Sequence, residues 1–218
     1  MKKKKLLNLY SGIGGNRKLW GDEYEVTAVE LNPEIAAIYK NLFPNDTVIV
    51  GDAHEYLLKH FKEFDFIWGS PPCPSHSRAR FWGCQDNPIY PDMALYQEIL
   101  FLKHYFKGLW IIENVIPFYE PIIKPSFEIE RHFVWCNFFI PSFEYDKIDN
   151  YGKQKDDALF LSRTYGYELS QLKGVDKQKV LRNCVIPEMG LHILNAAMKK
   201  KSPSDNKAKQ EVLFEYVN

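Results

Sequence analysis

"KLLNLYSGIGGNRKLW", residues Lys5–Trp20, sets an apolar run against a glycine-rich turn and a stretch of helical pattern. Glycines at 12, 14 and 15 let the backbone come close to a ligand, and a helix opening there would offer free amides. The dinucleotide fingerprint is incomplete, because Arg17 stands where its third glycine would fall. The same order repeats along the chain. "EVTAVE" (Glu25–Glu30) precedes "NPEIAAIYKNL", where Asn32 can cap a helix and Pro33 take its first position. "TVIV" (Thr47–Val50) precedes "GDAHEYLLKHF", "FDFIWG" leads into a proline-rich loop, and "LWIIENV" (Leu109–Val115) follows a helical stretch over about 92–106. Buried parallel strands read as continuous apolar runs alternating with helices. The expectation is an α/β fold with a doubly wound, mainly parallel sheet, whose sites lie at the carboxyl ends of its strands.

The 218 residues suffice for one sizeable core, and 45% hydrophobic with 15% aromatic content suits a packed chain over a disordered one. Lys plus Arg and Asp plus Glu are 28 each, so no global charge argues for a polyanionic partner. No apolar run approaches the roughly 20 residues that span a bilayer. The basic start "MKKKKLLNLY" meets Gly and Arg instead of a small-residue cleavage site, so it is read as no signal peptide. Cys73, Cys84, Cys136 and Cys184 have neither zinc nor disulfide spacing, which suggests reduced thiols in a cytoplasm. The last three are read as structural, Trp110 and Trp135 as core, and no metal site is expected.

Three features carry chemistry. Glu30 ends the second strand, near the offset at which an acid accepts hydrogen bonds from ribose hydroxyls. Asp52 ends the third, where it could accept from an adenine amino group; both acids would otherwise serve as helix N-terminal charges. "GSPPCPSHSRAR" (Gly69–Arg80) then holds Cys73 between prolines. His76, Arg78 and Arg80 follow as cations that would lower the thiol's pKa or hold phosphates. Glu113 emerges from the next strand, and a Cys beside a Glu suits attack on an electron-poor ring while the acid protonates a ring nitrogen.

The set "NLYSGIGG", "VELNPE", "GDAHEYL", "GSPPCPS", "ENV", "RHFVWCNF" and "LRNCVIPEMG" resembles the C5-cytosine DNA methyltransferases, in that family's motif order, over about residues 5–140 and 178–198. The resemblance implies a Rossmann-like methyltransferase fold and S-adenosylmethionine as cofactor. It makes Cys73 the nucleophile at cytosine C6 of a flipped base in double-stranded DNA, with Glu113 at N3, Asn114 bracing the loop and Arg131 at the O2 side. Tyr10, Gly12, Gly14, Gly15, Glu30, Leu31, Asp52, Ala53, Pro71 and Asn183 would line the cofactor, and Ser77, Arg78 and Arg80 would meet DNA. A prokaryotic or viral-host cytoplasm, a cognate restriction enzyme and a recognition partner subunit are further implications.

Departures bear on specificity. Pro74 stands where Gln is usual, Asn8 for Asp and Tyr10 for Phe, and the basic motif before Arg131 is reduced to "EIERHF". Residues 1–140 and 180–200 are read as the catalytic domain, 141–179 as a shortened target-recognition segment and 201–218 as a flexible tail. The lysines at 147, 153, 155, 173, 177 and 179 suit phosphate contacts, which position without reading sequence. A recognition site of two to four base pairs, or help from a partner, follows as an expectation. Rival readings are a transfer-RNA cytosine methyltransferase, a nicotinamide-dependent dehydrogenase, which gives Cys73 and Glu113 no paired role, and a non-catalytic DNA-binding module.

Overall fold

Continuous apolar runs become the central strands of a seven-stranded sheet in the computed structural model, which describes residues 2–80, 87–129, 131–142 and 157–199. The strands are β1 (Lys5–Leu9), β2 (Glu25–Glu30), β3 (Thr47–Val50), β4 (Phe66–Gly69), β5 (Leu109–Val115), β6 (Phe127–Ile129) and β7 (His132–Cys136). Their order is β3-β2-β1-β4-β5-β7-β6. The first five are parallel, and β7 runs antiparallel to both β5 and β6. The hairpin of β6 and β7 was not separated in the sequence reading, since its three-residue first strand is too short to show a period.

Helices cover both faces. α1 (Pro33–Leu42) starts as the sequence implies, with Asn32 Oδ1 accepting from the amides of Glu34 and Ile35 and Pro33 in the first turn. α2 (Ala53–His60) and α3 (Ala94–Tyr105) bury Ala53, Leu57, Leu95, Tyr96, Ile99 and Leu102 on one face of the sheet. α4 (Asp157–Tyr165), α5 (Lys177–Arg182) and α6 (Pro187–Ala197) close the other face together with α1. Crossovers on opposite faces diverge between β1 and β4, so a crevice for a ligand opens there. Among the described residues no helix is long and apolar enough to cross a membrane.

One expectation needs correction. The glycine turn opens no α-helix: residues 15–19 form turns, with Lys18 N–H on the Gly15 carbonyl and Trp20 N–H on that of Arg17. The cause is packing from the far end of the chain. A Cβ on Gly190 of α6 would stand 2.3 Å from the Asn16 carbonyl oxygen, so α6 occupies the space beside the turn. Of the span 141–179, the described residues 157–179 include some that pack with the core of the sheet. Leu161, Tyr165, Tyr167 and Leu172 belong to the main apolar cluster, and the Lys18 ammonium stands 3.9 Å from the Tyr167 ring centroid. The apolar residues here are too sparse for a period, and the helix is recruited by burial. Lys147, Lys153, Lys155 and the tail 201–218 lie outside the described residues.

Trp110 and Trp135 are buried, as read. Cys73, Cys136 and Cys184 are free thiols, and Cys84 lies outside the described residues. Arg17 enters a buried network: its guanidinium donates twice to Asp46, at 2.8 and 2.9 Å, and Tyr39 Oη donates to the same carboxylate at 2.9 Å.

Candidate functional site

Register aligns the chemistry along one edge. Leu9 pairs with Val29 and Gly69, Glu30 with Val50, and Gly69 with Ile112. One step further, Glu30, Tyr10, Ser70 and Glu113 stand abreast at the carboxyl ends of β2, β1, β4 and β5. With strands about 4.8 Å apart, Glu30 to Glu113 spans about 14 Å. Amides of Ser11, Gly51 and Ser70 extend the ladders past the strands and hold this row in place.

The half around β1 and β2 is an open ledge. Glu30 accepts from Gly12 N–H at 3.0 Å and from Asn32 N–H at 2.9 Å, so it ties the glycine turn to the end of β2. A carboxylate offers about four acceptor sites, which leaves room for a diol. Gly12 has φ 53°, and a Cβ there would meet nothing within 4 Å. Leu31 is 68% exposed, and the half-buried Tyr10 ring flanks the turn on β1, with φ 55°. An open glycine, a carboxylate and two apolar surfaces suit a nucleoside, so these residues fit an adenosyl cofactor. Asp52 is exposed and caps α2 through Oδ1, at 2.9 Å from Glu55 N, which is the helix-terminal alternative raised by the sequence.

The other candidate positions do different work. A Cβ on Gly14 would strike Phe43 and Tyr39, and one on Gly15 the carbonyl of Val185. Their missing side chains are thus explained by internal packing, and Gly14 N–H closes the turn onto Ser11. The Ala53 side chain is buried at the start of α2. Asn183 is exposed at the end of α5, next to the Cys184–Val185 pair that packs on Gly15.

The half around β4 and β5 carries the thiol. The Cys73 carbonyl accepts from the amides of His76 and Ser77, both at 3.0 Å, so the proline loop folds into a tight turn. Buried Asn114 donates Nδ2–H to the Pro71 carbonyl at 2.9 Å and fixes the loop against β5. Glu113 is 8% exposed, 3.8 Å from His132 Nε2. Arg131 donates to the Arg182 carbonyl at 3.0 Å and so joins this edge to α5.

Charge around Cys73 differs from the sequence expectation. Burial pushes the thiol pKa up and neighbouring Glu113 pushes the same way, while Arg131 opposes them. His76, Arg78 and Arg80 are not the cations at the thiol. His76 is buried, hydrogen-bonded to Tyr119 Oη at 2.6 Å, and desolvation lowers its pKa. Arg78 donates to the Pro117 carbonyl at 3.4 Å and Arg80 to that of Asn87 at 2.7 Å. Ser77 bridges to Pro117 across the base of the loop.

The sequence reading missed Glu98. Its signal was present: it falls between Leu95 and Leu102 in the apolar stripe of α3, where a carboxylate is out of place. Tyr10 Oη donates to Glu98 Oε1, and His54 Nδ1 lies 3.0 Å from the same oxygen.

Comparison with known families matches residues 4–116, just over half of the chain, to the C-5 cytosine-specific DNA methylases. Among solved structures, a DNMT2 variant from Spodoptera frugiperda is similar at 28% identity and TM-score 0.39, over 52% of this chain and 36% of that one. The S. pombe Dnmt2 methyltransferase gives 25% and 0.40, over 53% and 37%. A putative DNA modification methyltransferase of an E. coli prophage gives 20% and 0.38, over 54% and 34%. The chain thus spans little more than a third of each of these structures. No curated protein sequence matches it.

Proposed function

Because the chain belongs to the C-5 cytosine-specific DNA methylase family, we propose that it methylates C5 of cytosine in DNA through a covalent bond from Cys73 to C6. The methyl donor is S-adenosylmethionine, whose sulfonium supplies an electrophilic methyl group when bound. The observation that carries the reading is the gathering of Cys73, Glu113 and Arg131 at one end of β4, β5 and β7. That gathering lies on the same sheet edge as the Glu30 and Gly12 ledge.

Each residue has a role set by its surroundings. C6 of cytosine becomes electrophilic when N3 is protonated or hydrogen-bonded, and Glu113 is the buried acid able to do this. The Cys73 sulfur bonds to C6, and the electron pair of the C5–C6 double bond moves toward C5. C5 would take the methyl group, the donor leaving as its neutral thioether; a base then removes the C5 proton, whose electron pair restores the C5–C6 double bond as the sulfur departs as thiolate. The free protein holds Cys73 as a thiol, so its proton must leave as the base arrives; Arg131 is the cation that favours the thiolate. Asn114 keeps the loop rigid, and a sub-ångström error in such a geometry is costly. A base stacked and paired in a duplex cannot present C6 to a half-buried thiol at a strand end, so the target cytosine is flipped out of its duplex.

The test is adduct formation. A DNA duplex carrying 5-fluorocytosine, mixed with the protein and S-adenosylmethionine, should give a complex that survives denaturing electrophoresis, because fluorine cannot leave C5 as a proton. Cys73→Ser should give none. Trapping by fluorinated transfer RNA but not by DNA would move the substrate to RNA, and an adduct with Cys73→Ser would refute the nucleophile.

A further inference from the structure

Glu98 is fully buried beside the paired carboxyl ends of β1 and β4, close to Tyr10 and Gly69. Tyr10 Oη donates to its Oε1, and His54 Nδ1 lies 3.0 Å from that same atom. Oε2 has no hydrogen-bond partner among the described residues and lies 3.9 Å from where a Gly69 Cβ would stand. A buried ionised carboxylate needs donors on both oxygens. Here one oxygen has none, and the surrounding charges offer little help. Asp92 and Asp52 are acids, and His54, 41% exposed at its side chain, is neutral unless protonated. Burial raises the pKa of Glu98, while its hydrogen bonds with Tyr10 and His54 oppose that rise, and burial also raises the pKa of Tyr10.

We propose that Glu98 is a positioning residue of the cofactor pocket: its Oε1 holds the Tyr10 hydroxyl and thereby fixes the Tyr10 ring and backbone at the end of β1. Tyr10 is a non-glycine residue in the left-handed region, a conformation that needs an anchor from outside the turn. Ser11 and Gly12 follow immediately, and Gly12 N–H is the group that reaches Glu30. Releasing the Tyr10 hydroxyl would therefore loosen both the ring that flanks the nucleoside ledge and the turn that forms it. The inference rests on reading this edge as the S-adenosylmethionine site.

Calorimetric titration with S-adenosylmethionine tests it, with thermal unfolding measured on every variant. Wild type should bind. Tyr10→Phe and Glu98→Leu should each weaken binding about tenfold, the size of one net hydrogen bond. The double variant should be no weaker than either single one, because both remove the same contact. Glu98→Gln should stay within about threefold of wild type, since an amide keeps an acceptor oxygen at the position of Oε1. Rescue by Gln and non-additive losses separate positioning from general stabilisation. Wild-type affinity in Tyr10→Phe, additive losses, or Glu98→Gln as weak as Glu98→Leu would overturn the inference while leaving the site in place. A wild-type protein that binds no S-adenosylmethionine would overturn the site itself. Should Glu98→Leu fail to fold, Tyr10→Phe, Glu98→Gln and their combination decide.

Discussion

Replacing Gly190 with alanine puts one methyl group where the two ends of the chain meet. The new Cβ would stand 2.3 Å from the Asn16 carbonyl oxygen, 2.6 Å from its Cα and 2.8 Å from its carbonyl carbon, well inside the 3.4 Å at which ordinary contact begins. All three are backbone atoms, so no side chain can swing aside. α6 must back away by about 1 Å, and overpacking of this kind costs roughly 1–3 kcal/mol. Retreat also strains the hydrogen bond from Trp20 Nε1 to the Gly190 carbonyl, 3.1 Å long, which is worth about 1 kcal/mol. Alanine in a helix interior returns about 1 kcal/mol relative to glycine. The balance is a net loss of about 1–3 kcal/mol, a large share of the 5–15 kcal/mol by which such domains are stable. Urea unfolding followed by circular dichroism measures it. Because Asn16 follows the cofactor turn, affinity for S-adenosylmethionine should fall as well. A Gly190→Ala protein as stable as wild type or more so would refute the clash, and with it the claim that α6 holds the turn.

Asp46→Asn should cost about 3–5 kcal/mol in the same assay, because it leaves Arg17 charged in a site where both partners are only 3% exposed; a loss under about 1 kcal/mol would contradict this. Glu30→Ala should weaken cofactor binding more than Asp52→Ala, as Glu30 also holds the Gly12 and Asn32 amides while Asp52 caps one helix; titration calorimetry giving the reverse order would misplace the pocket. For Cys73 the folded pKa is raised, so its proton-bound form is favoured. That contribution to stability is fully present below the ordinary thiol pKa and is lost as pH rises through the folded value. Alkylation of the Cys73 peptide, followed by mass spectrometry, should therefore have its pH midpoint above that of the unfolded chain, and Arg131→Ala should move it higher still. A midpoint below the ordinary range would refute the burial argument.

The strands were legible because parallel strands buried on both faces must be apolar throughout, and "KLLNL", "EVTAVE" and "LWIIENV" leave no other reading. Helix starts were legible where a cap announces them, as Asn32 and Pro33 do for α1. Placement of Glu30, Cys73 and Glu113 at strand ends followed from the same pattern. What the sequence hid was long-range. Arg17 looked like a defect in a fingerprint, yet its partner Asp46 lies 29 residues away. Cations next to Cys73 in the chain turned to backbone carbonyls, while the cation that acts on the thiol, Arg131, comes from the turn between β6 and β7. Glu98 was visible only as an anomaly of pattern, because a buried acid is understood once its neighbours are known.

The packing of Gly190 on Asn16 and of Val185 on Gly15 also sets an order of events during synthesis. The glycine turn leaves the ribosome about 170 residues before the surface that shapes it, since Asn16 meets Gly190. At about 5–20 residues per second, the interval is on the order of ten seconds or more. Through that time β1, β2 and β4 can pair, while the turn lacks its lid. The newborn chain thus completes the packing of its glycine turn only when α6 docks. A ribosome halted before residue 184 would hold a glycine turn without the packing surface that shapes it.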